Sequence, residues 1–159
     1  MTRYLVDASV LIHLDRIGEL RFLREVLGPI CVTQEVAREV ANGPDALDLE
    51  SPAFEGWVKV LPARKGTPRL GLGSGEASLL IEAGPGDRLV LDDAQARAVA
   101  EARGLEFVGL LGLIVAAVNS RKISPERGIE LLDALVATEF RLSPALYANA
   151  RKSIQDYRS

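Results

Sequence analysis

The sequence holds one cysteine and one histidine in 159 residues. A single cysteine excludes an intramolecular disulfide and any cysteine-rich zinc site. Cys31 lies in "PICVT", where its neighbours make it a small buried hydrophobe of a strand interior. A single histidine excludes a multi-histidine metal site, and nothing marks His13 as the partner of a nucleophile. In "SVLIHLDRIG" it reads as a structural or partly exposed helix residue. The glycines of "GLGSG" are not followed by GK[ST], which excludes a phosphate-cradling P-loop, and they do not form GxGxxG after a strand. "GLLGLIVAAV", 109–118, is too short to span a bilayer unaided. The opening "MTRYLVDASVLIHL" is broken by Asp7 and His13 and lacks a small-residue cleavage site, so it does not read as a signal peptide. A cytoplasmic protein without membrane attachment is the expectation. Internal repeats and low-complexity tails are absent from the sequence.

What is there suits one soluble globular domain, residues 1–159: 48% hydrophobic and 26% charged residues, enough for a substantial core. The net charge of −3 gives no bulk attraction for a polyanion, although local patches and bound metal ions can supply the relevant field.

Short apolar runs alternate with helical periodicity. "RYLV", "ICV", "RLVL" and "LEFV" read as strands, and "WVKVL" as an edge or short strand. Helices are expected in "SVLIHLDRIG", "ELRFLREVLG", "QEVAREVAN" behind the N-cap Thr33, "EASLLIEAG" and "AQARAVAEARG", then over 109–120, 125–137 and 143–156. A short helical piece is expected within 44–55, and a loop over 62–75. Strands alternating with helices predict an α/β fold with a mostly parallel sheet covered on both faces. Such sheets bind ligands outside the carboxyl ends of their strands.

Carboxylates stand at those ends. "RYLV" runs into Asp7, and "RLVL" runs into Asp92 and Asp93. Helix capping accounts for Asp7 and for one of the pair, but Asp92 and Asp93 cannot both be the N-cap residue. Asp7 is expected to face solvent and to pack nothing in the core. Glu76 opens the helix after "GLGSG", where the helix dipole favours it. Glu39 lies at the edge of the Val36/Val40 stripe, whereas Glu35 fits a solvated face. Carboxylates gathered in one cleft repel, and a hard divalent cation relieves that repulsion. Oxygen-only ligands favour Mg²⁺ or Mn²⁺ over zinc.

The order "LVDASVLI", "VTQEVAREV", "GSGEASLL", "LVLDDAQARAVAEARGLEFVGLLGLI" resembles the PIN domain, and within it the VapC-like, DUF3368-type branch. The resemblance runs from about residue 3 to the last helix. It implies a three-layer α/β/α fold and a metal-dependent ribonuclease, often the toxin of a toxin–antitoxin pair and often a homodimer. The family's acids fall on Asp7, Glu39, Glu76 and the Asp92–Asp93 pair, with Asp93 favoured as the counterpart of the last. Asp7, Glu76, Asp92 and Asp93 are the implied metal ligands, with Glu39 as a further ligand or a shaper of bound water. Ser9 matches a small hydroxyl position lining the site, and Arg97 an arginine that meets a carboxylate or phosphate. The chain departs from the family at "NSRKI", where relatives often carry a basic-glycine turn. RNA is the implied substrate and an antitoxin the implied protein partner.

Two other classes stay open at this point. A HAD-like phosphatase would use Asp7 as nucleophile, but the D-x-D motif is missing its second acid in Asp7-Ala8-Ser9-Val10. A non-catalytic binding protein on the same fold is the other.

Overall fold

The computed structural model describes residues 2–62, 64, 72–138 and 143–156. Five strands form one parallel sheet in the order β3-β2-β1-β4-β5. They are β1 (Arg3–Val6), β2 (Ile30–Thr33), β3 (Val58–Leu61), β4 (Asp87–Val90) and β5 (Glu106–Val108). The helices are α1 (Ala8–Arg16), α2 (Arg21–Leu27), α3 (Gln34–Ala41), α4 (Ser74–Glu82), α5 (Ala94–Ala102), α6 (Leu110–Asn119), α7 (Pro125–Val136) and α8 (Pro144–Asp156). With helices on both faces of the sheet, the fold is a three-layer α/β/α sandwich. The expected helical piece within 44–55 is a 3₁₀ turn, Pro52–Phe54. The expected loop at 62–75 lies largely outside the described residues.

Burial on both faces explains why the strands read as unbroken apolar runs rather than alternating ones. All four residues of β2 are buried, and so are Leu5, Val6, Leu89 and Val90 of the central pair. β3 is the edge strand its alternating sequence announces, with Lys59 exposed. Leu11, Leu14, Phe22, Leu79, Leu80 and Ile114 close the core from the helical layers without measurable exposure beyond 1%.

The chain starts in the middle of the sheet, builds outward through β2 and β3, then crosses back to add β4 and β5 on the other side of β1. The direction of winding therefore reverses next to β1, and such a reversal opens a crevice at the strands' carboxyl ends. Register fixes what lies there. Val6 pairs with Val90, and the backbone N–H of Asp7 donates to the carbonyl of Val90 at 3.0 Å. At the opposite end Arg3 pairs with Asp87. Its guanidinium donates to both carboxylate oxygens, Nε to Oδ1 at 3.1 Å and Nη2 to Oδ2 at 2.7 Å.

Candidate active site

Asp7 is the first residue past β1 and the N-cap of α1. The sequence reading placed it in solvent, but it is only 1% exposed. The difference arises because the chain turns straight from strand into helix, folding α1 over the carboxylate. Oδ1 accepts from the N–H of Ala8 at 2.7 Å, and Oδ2 accepts from the Ser9 hydroxyl at 2.9 Å. Ser9 thus steadies Asp7. Burial pushes the Asp7 carboxyl up to about 6, and the charges of Glu76 and Glu39 push the same way. The hydrogen bonds from Ser9 and Ala8 oppose them without prevailing.

Glu76 sits in the first turn of α4, half-buried. Its side chain folds back over the helix entry: a Cβ added to Gly73 would fall 2.5 Å from Oε2. Glu39 projects from α3, whose Val36 and Val40 are buried as the stripe predicts. The residue as a whole is exposed, yet its Oε2 rests where a Cβ of Gly75 would lie, 2.5 Å away. Partial burial and the charge of Glu76 both raise the Glu39 carboxyl above its ordinary range. Glu35 is half-buried rather than solvated, beside Thr33, Arg64, Ser78 and Glu82.

The Asp92–Asp93 pair divides. Asp93 is exposed and caps α5, its Oδ2 accepting from Ala96 N–H at 2.8 Å. Asp92 turns inward, and its Oδ1 accepts from the N–H of Leu110 at the start of α6, at 2.9 Å. Its Oδ2 is buried without a hydrogen-bond partner among the described residues. Burial raises the Asp92 carboxyl, opposed by that N–H and by the charges of Arg97 and His13. Arg97 meets a carboxylate in this electrostatic sense, and its guanidinium lies 5.4 Å from the centre of the Phe107 ring. His13 is half-buried on α1, and burial lowers its pKa.

Asp7, Glu39 and Glu76 therefore share one electrostatic neighbourhood, while Asp92 belongs with Arg97, His13 and the α6 entry. Among the described residues, no three Asp, Glu, His or Cys side chains converge tightly enough to cage an ion. Mg²⁺ does not need such a cage, because it keeps several waters and binds through one or two carboxylates. An oxygen-only set in which the charge of Glu76 raises both Asp7 and Glu39, with the unpartnered Asp92 Oδ2 past the end of β4, fits a hard divalent cation.

Two clefts lie elsewhere. One, about 350 Å³, lies at the amino ends of β4 and β5, lined by Pro85, Asp87, Arg103 and Glu106 among others. The other, about 530 Å³, lies beside β3 under Leu49, Pro52 and Phe54. Neither includes an acid of the candidate site. Of the acids, Glu39 and Asp93 are exposed, Glu76 and Asp92 are half-buried and Asp7 is buried.

A family model for the PIN domain, DUF3368, matches residues 3–156. The chain belongs to the PIN-domain family. PIN domains are commonly nucleases that typically use divalent metal ions, so this chain carries a nuclease fold. No curated protein and no solved structure matches it. Among the described residues, no helix is long and apolar enough to cross a membrane.

In this PIN domain the sequence reading missed Thr33 and Ser78 as a pair. Their hydroxyls lie 2.6 Å apart between α3 and α4. Thr33 was visible only as a helix cap. Ser78 carried a signal, a polar residue inside the apolar run Ala77–Leu80, all of it buried.

Proposed function

We propose that this PIN domain, a single domain over residues 1–159, is a Mg²⁺- or Mn²⁺-dependent endoribonuclease and the toxin of a VapBC-type toxin–antitoxin pair. The observation that carries the nuclease reading is the buried Asp7 carboxylate at the sheet's winding reversal, under the charges of Glu39 and Glu76. An acid so placed is held by the fold at a cost that a cation offsets.

Asp7, Glu76, Asp92 and Asp93 would hold the ion, one or two directly and the others through the waters it keeps. When bound, it supplies positive charge to the attacking water and to the scissile phosphate. The chain's own groups do the rest. Ser9 donates to Oδ2 of Asp7 and fixes that carboxylate's orientation. Glu39, on the exposed rim, accepts a proton from the water. Asp93 fixes the entry of α5, and the charge of Arg97 favours the ionised form of Asp92 and would attract the phosphate backbone. The toxin assignment, a homodimer and an antitoxin partner rest on the family resemblance.

The test is a fluorogenic RNA panel with Mg²⁺ or Mn²⁺, run beside p-nitrophenyl phosphate. RNA cleavage that EDTA stops and Asp7→Asn abolishes supports the proposal. Phosphatase turnover without RNA cleavage would favour the phosphatase class, and metal binding without either would favour a binding protein. Growth arrest on expression, relieved by Asp7→Asn, tests the toxin assignment separately.

A further inference from the structure

We infer that Gly75, with a buried hydroxyl relay through Thr33 and Ser78, positions the Glu39 carboxylate against α4 beside Glu76. The inference deepens the proposed function and rests on its assignment of Glu39 and Glu76 to one metal-dependent centre.

Thr33 and Ser78 are 4% and 7% exposed, and with Asp7 they are the buried polar residues among those described. Their hydrogen bonds form a directed chain. Ser78 has one hydroxyl proton, and it goes to the carbonyl of Gly75 at 2.6 Å. The 2.6 Å contact between the two hydroxyls must then be donated by Thr33. The Thr33 oxygen in turn accepts from the N–H of Val36 at 3.2 Å. Every donor in the chain is used, so the relay has one direction and no slack. It bolts the first turn of α3 to the first turn of α4 from inside, where water does not compete.

That bolt brings the face of α3 carrying Val36 and Glu39 onto Gly75. A Cβ there would lie 3.5 Å from Val36 Cγ2, an ordinary contact, but 2.5 Å from Glu39 Oε2. The missing side chain is the space the carboxylate occupies. Glycine is a poorer helix former than alanine, so its presence here is explained by what it admits. The backbone itself is helical, and no unusual φ calls for glycine. Since the clashing atom is the far end of a flexible side chain, alanine at 75 would displace Glu39 and leave the helices in place.

The experiment measures Mn²⁺ affinity and the EDTA thermal midpoint of the full chain, Gly75→Ala, Thr33→Ser, Ser78→Ala, Glu39→Gln and the double variant Gly75→Ala/Glu39→Gln. Gly75→Ala should hold or raise the midpoint while weakening Mn²⁺ about tenfold, the effect typical of groups that orient ligands. In the Glu39→Gln background, Gly75→Ala should cost nothing further, since both act on one carboxylate. Thr33→Ser keeps the relay and should bind as wild type, whereas Ser78→Ala should weaken both binding and midpoint. In EDTA, the Gly75 amide resonance should shift on Glu39→Gln, which reports the contact without metal. Full Mn²⁺ affinity in Gly75→Ala, additive losses in the double variant, or an unmoved Gly75 resonance would each overturn the inference. A resonance shift on Glu39→Gln together with a wild type that binds no Mn²⁺ would remove the metal-dependent reading and keep the positioning of Glu39.

Discussion

Arg3 and Asp87 stand opposite each other in the β1–β4 register and are joined by two hydrogen bonds at the end of the sheet remote from the acids. Glu82 also accepts from Arg3, at 3.2 Å. The pair pins the register that, at the other end of the same strands, sets Asp7 beside Val90.

Arg3→Met should therefore destabilise the chain by about 1 kcal/mol, a modest figure because the arginine side chain is 36% exposed and solvent screens the pair. The guanidinium holds the Asp87 carboxyl below its ordinary value of 3.8. A depressed carboxyl contributes stability that is present above the unfolded value and lost as pH falls through the folded one. Urea unfolding should show the gap between wild type and variant closing below pH 3.8. A gap that persists undiminished at lower pH would contradict the ion-pair account.

Asp7 behaves oppositely. Its carboxyl rises from 3.8 to about 6, so the folded state disfavours the ionised form. Without metal, stability should fall as pH climbs through that window, and the penalty should be complete above it. Two units correspond to roughly 3 kcal/mol. Asp7→Asn removes the charge and should be more stable than wild type at pH 7.5 in EDTA, the advantage vanishing near pH 3.5. Denaturant titrations across pH decide this, and a variant less stable at every pH would mean that the hydrogen bonds to Ala8 and Ser9 outweigh the buried charge.

Metal should close most of that gap. A ligand bound only by the native state stabilises by about 2.7 kcal/mol at a hundredfold excess over Kd. Mg²⁺ or Mn²⁺ should raise the wild-type midpoint, with little effect on Asp7→Asn or Glu76→Gln. Differential scanning calorimetry with metal and with EDTA reads the difference. Equal rises in all three proteins would place the ion elsewhere.

Arg97→Met should lower metal-free stability by about 1–2 kcal/mol, because it strips a half-buried carboxylate, Asp92, of its cationic neighbour. Arg97→Lys should recover the charge but lose the planar contact with Phe107, and so rescue only part. If Arg97 instead serves RNA alone, both variants will unfold as wild type does and differ only in KM.

The strands, the helices and the edge character of β3 could be read from the chain because each follows from local periodicity. Parallel strands buried on both faces leave apolar runs, and Asp7 and Asp93 mark where two of those runs become helices. What could not be read are relations between distant segments. The burial of Asp7 depends on how α1 folds over it. The division of the Asp92–Asp93 pair depends on the entry of α6, eighteen residues beyond Asp92. The contact of Thr33 with Ser78 spans 45 residues, and no spacing rule connects a helix cap to a serine inside another helix. Glu39 was singled out by its place beside the Val36/Val40 stripe. The reason it matters, a glycine on α4 that receives its carboxylate, lies outside its own helix.

The order β3-β2-β1-β4-β5 has a consequence for timing during synthesis. β1 emerges first yet lies between partners made later, and its β4 neighbour comes only after Glu39 and Glu76 have both been made. A nascent chain halted before β4 has Asp7 in hand but no Val90 carbonyl to receive its N–H and no wall on that side of the crevice. Such non-local pairing also delays folding of the finished chain. On the proposed ribonuclease reading, a chain made on a ribosome amid RNA would lack a complete crevice until β4 has been translated.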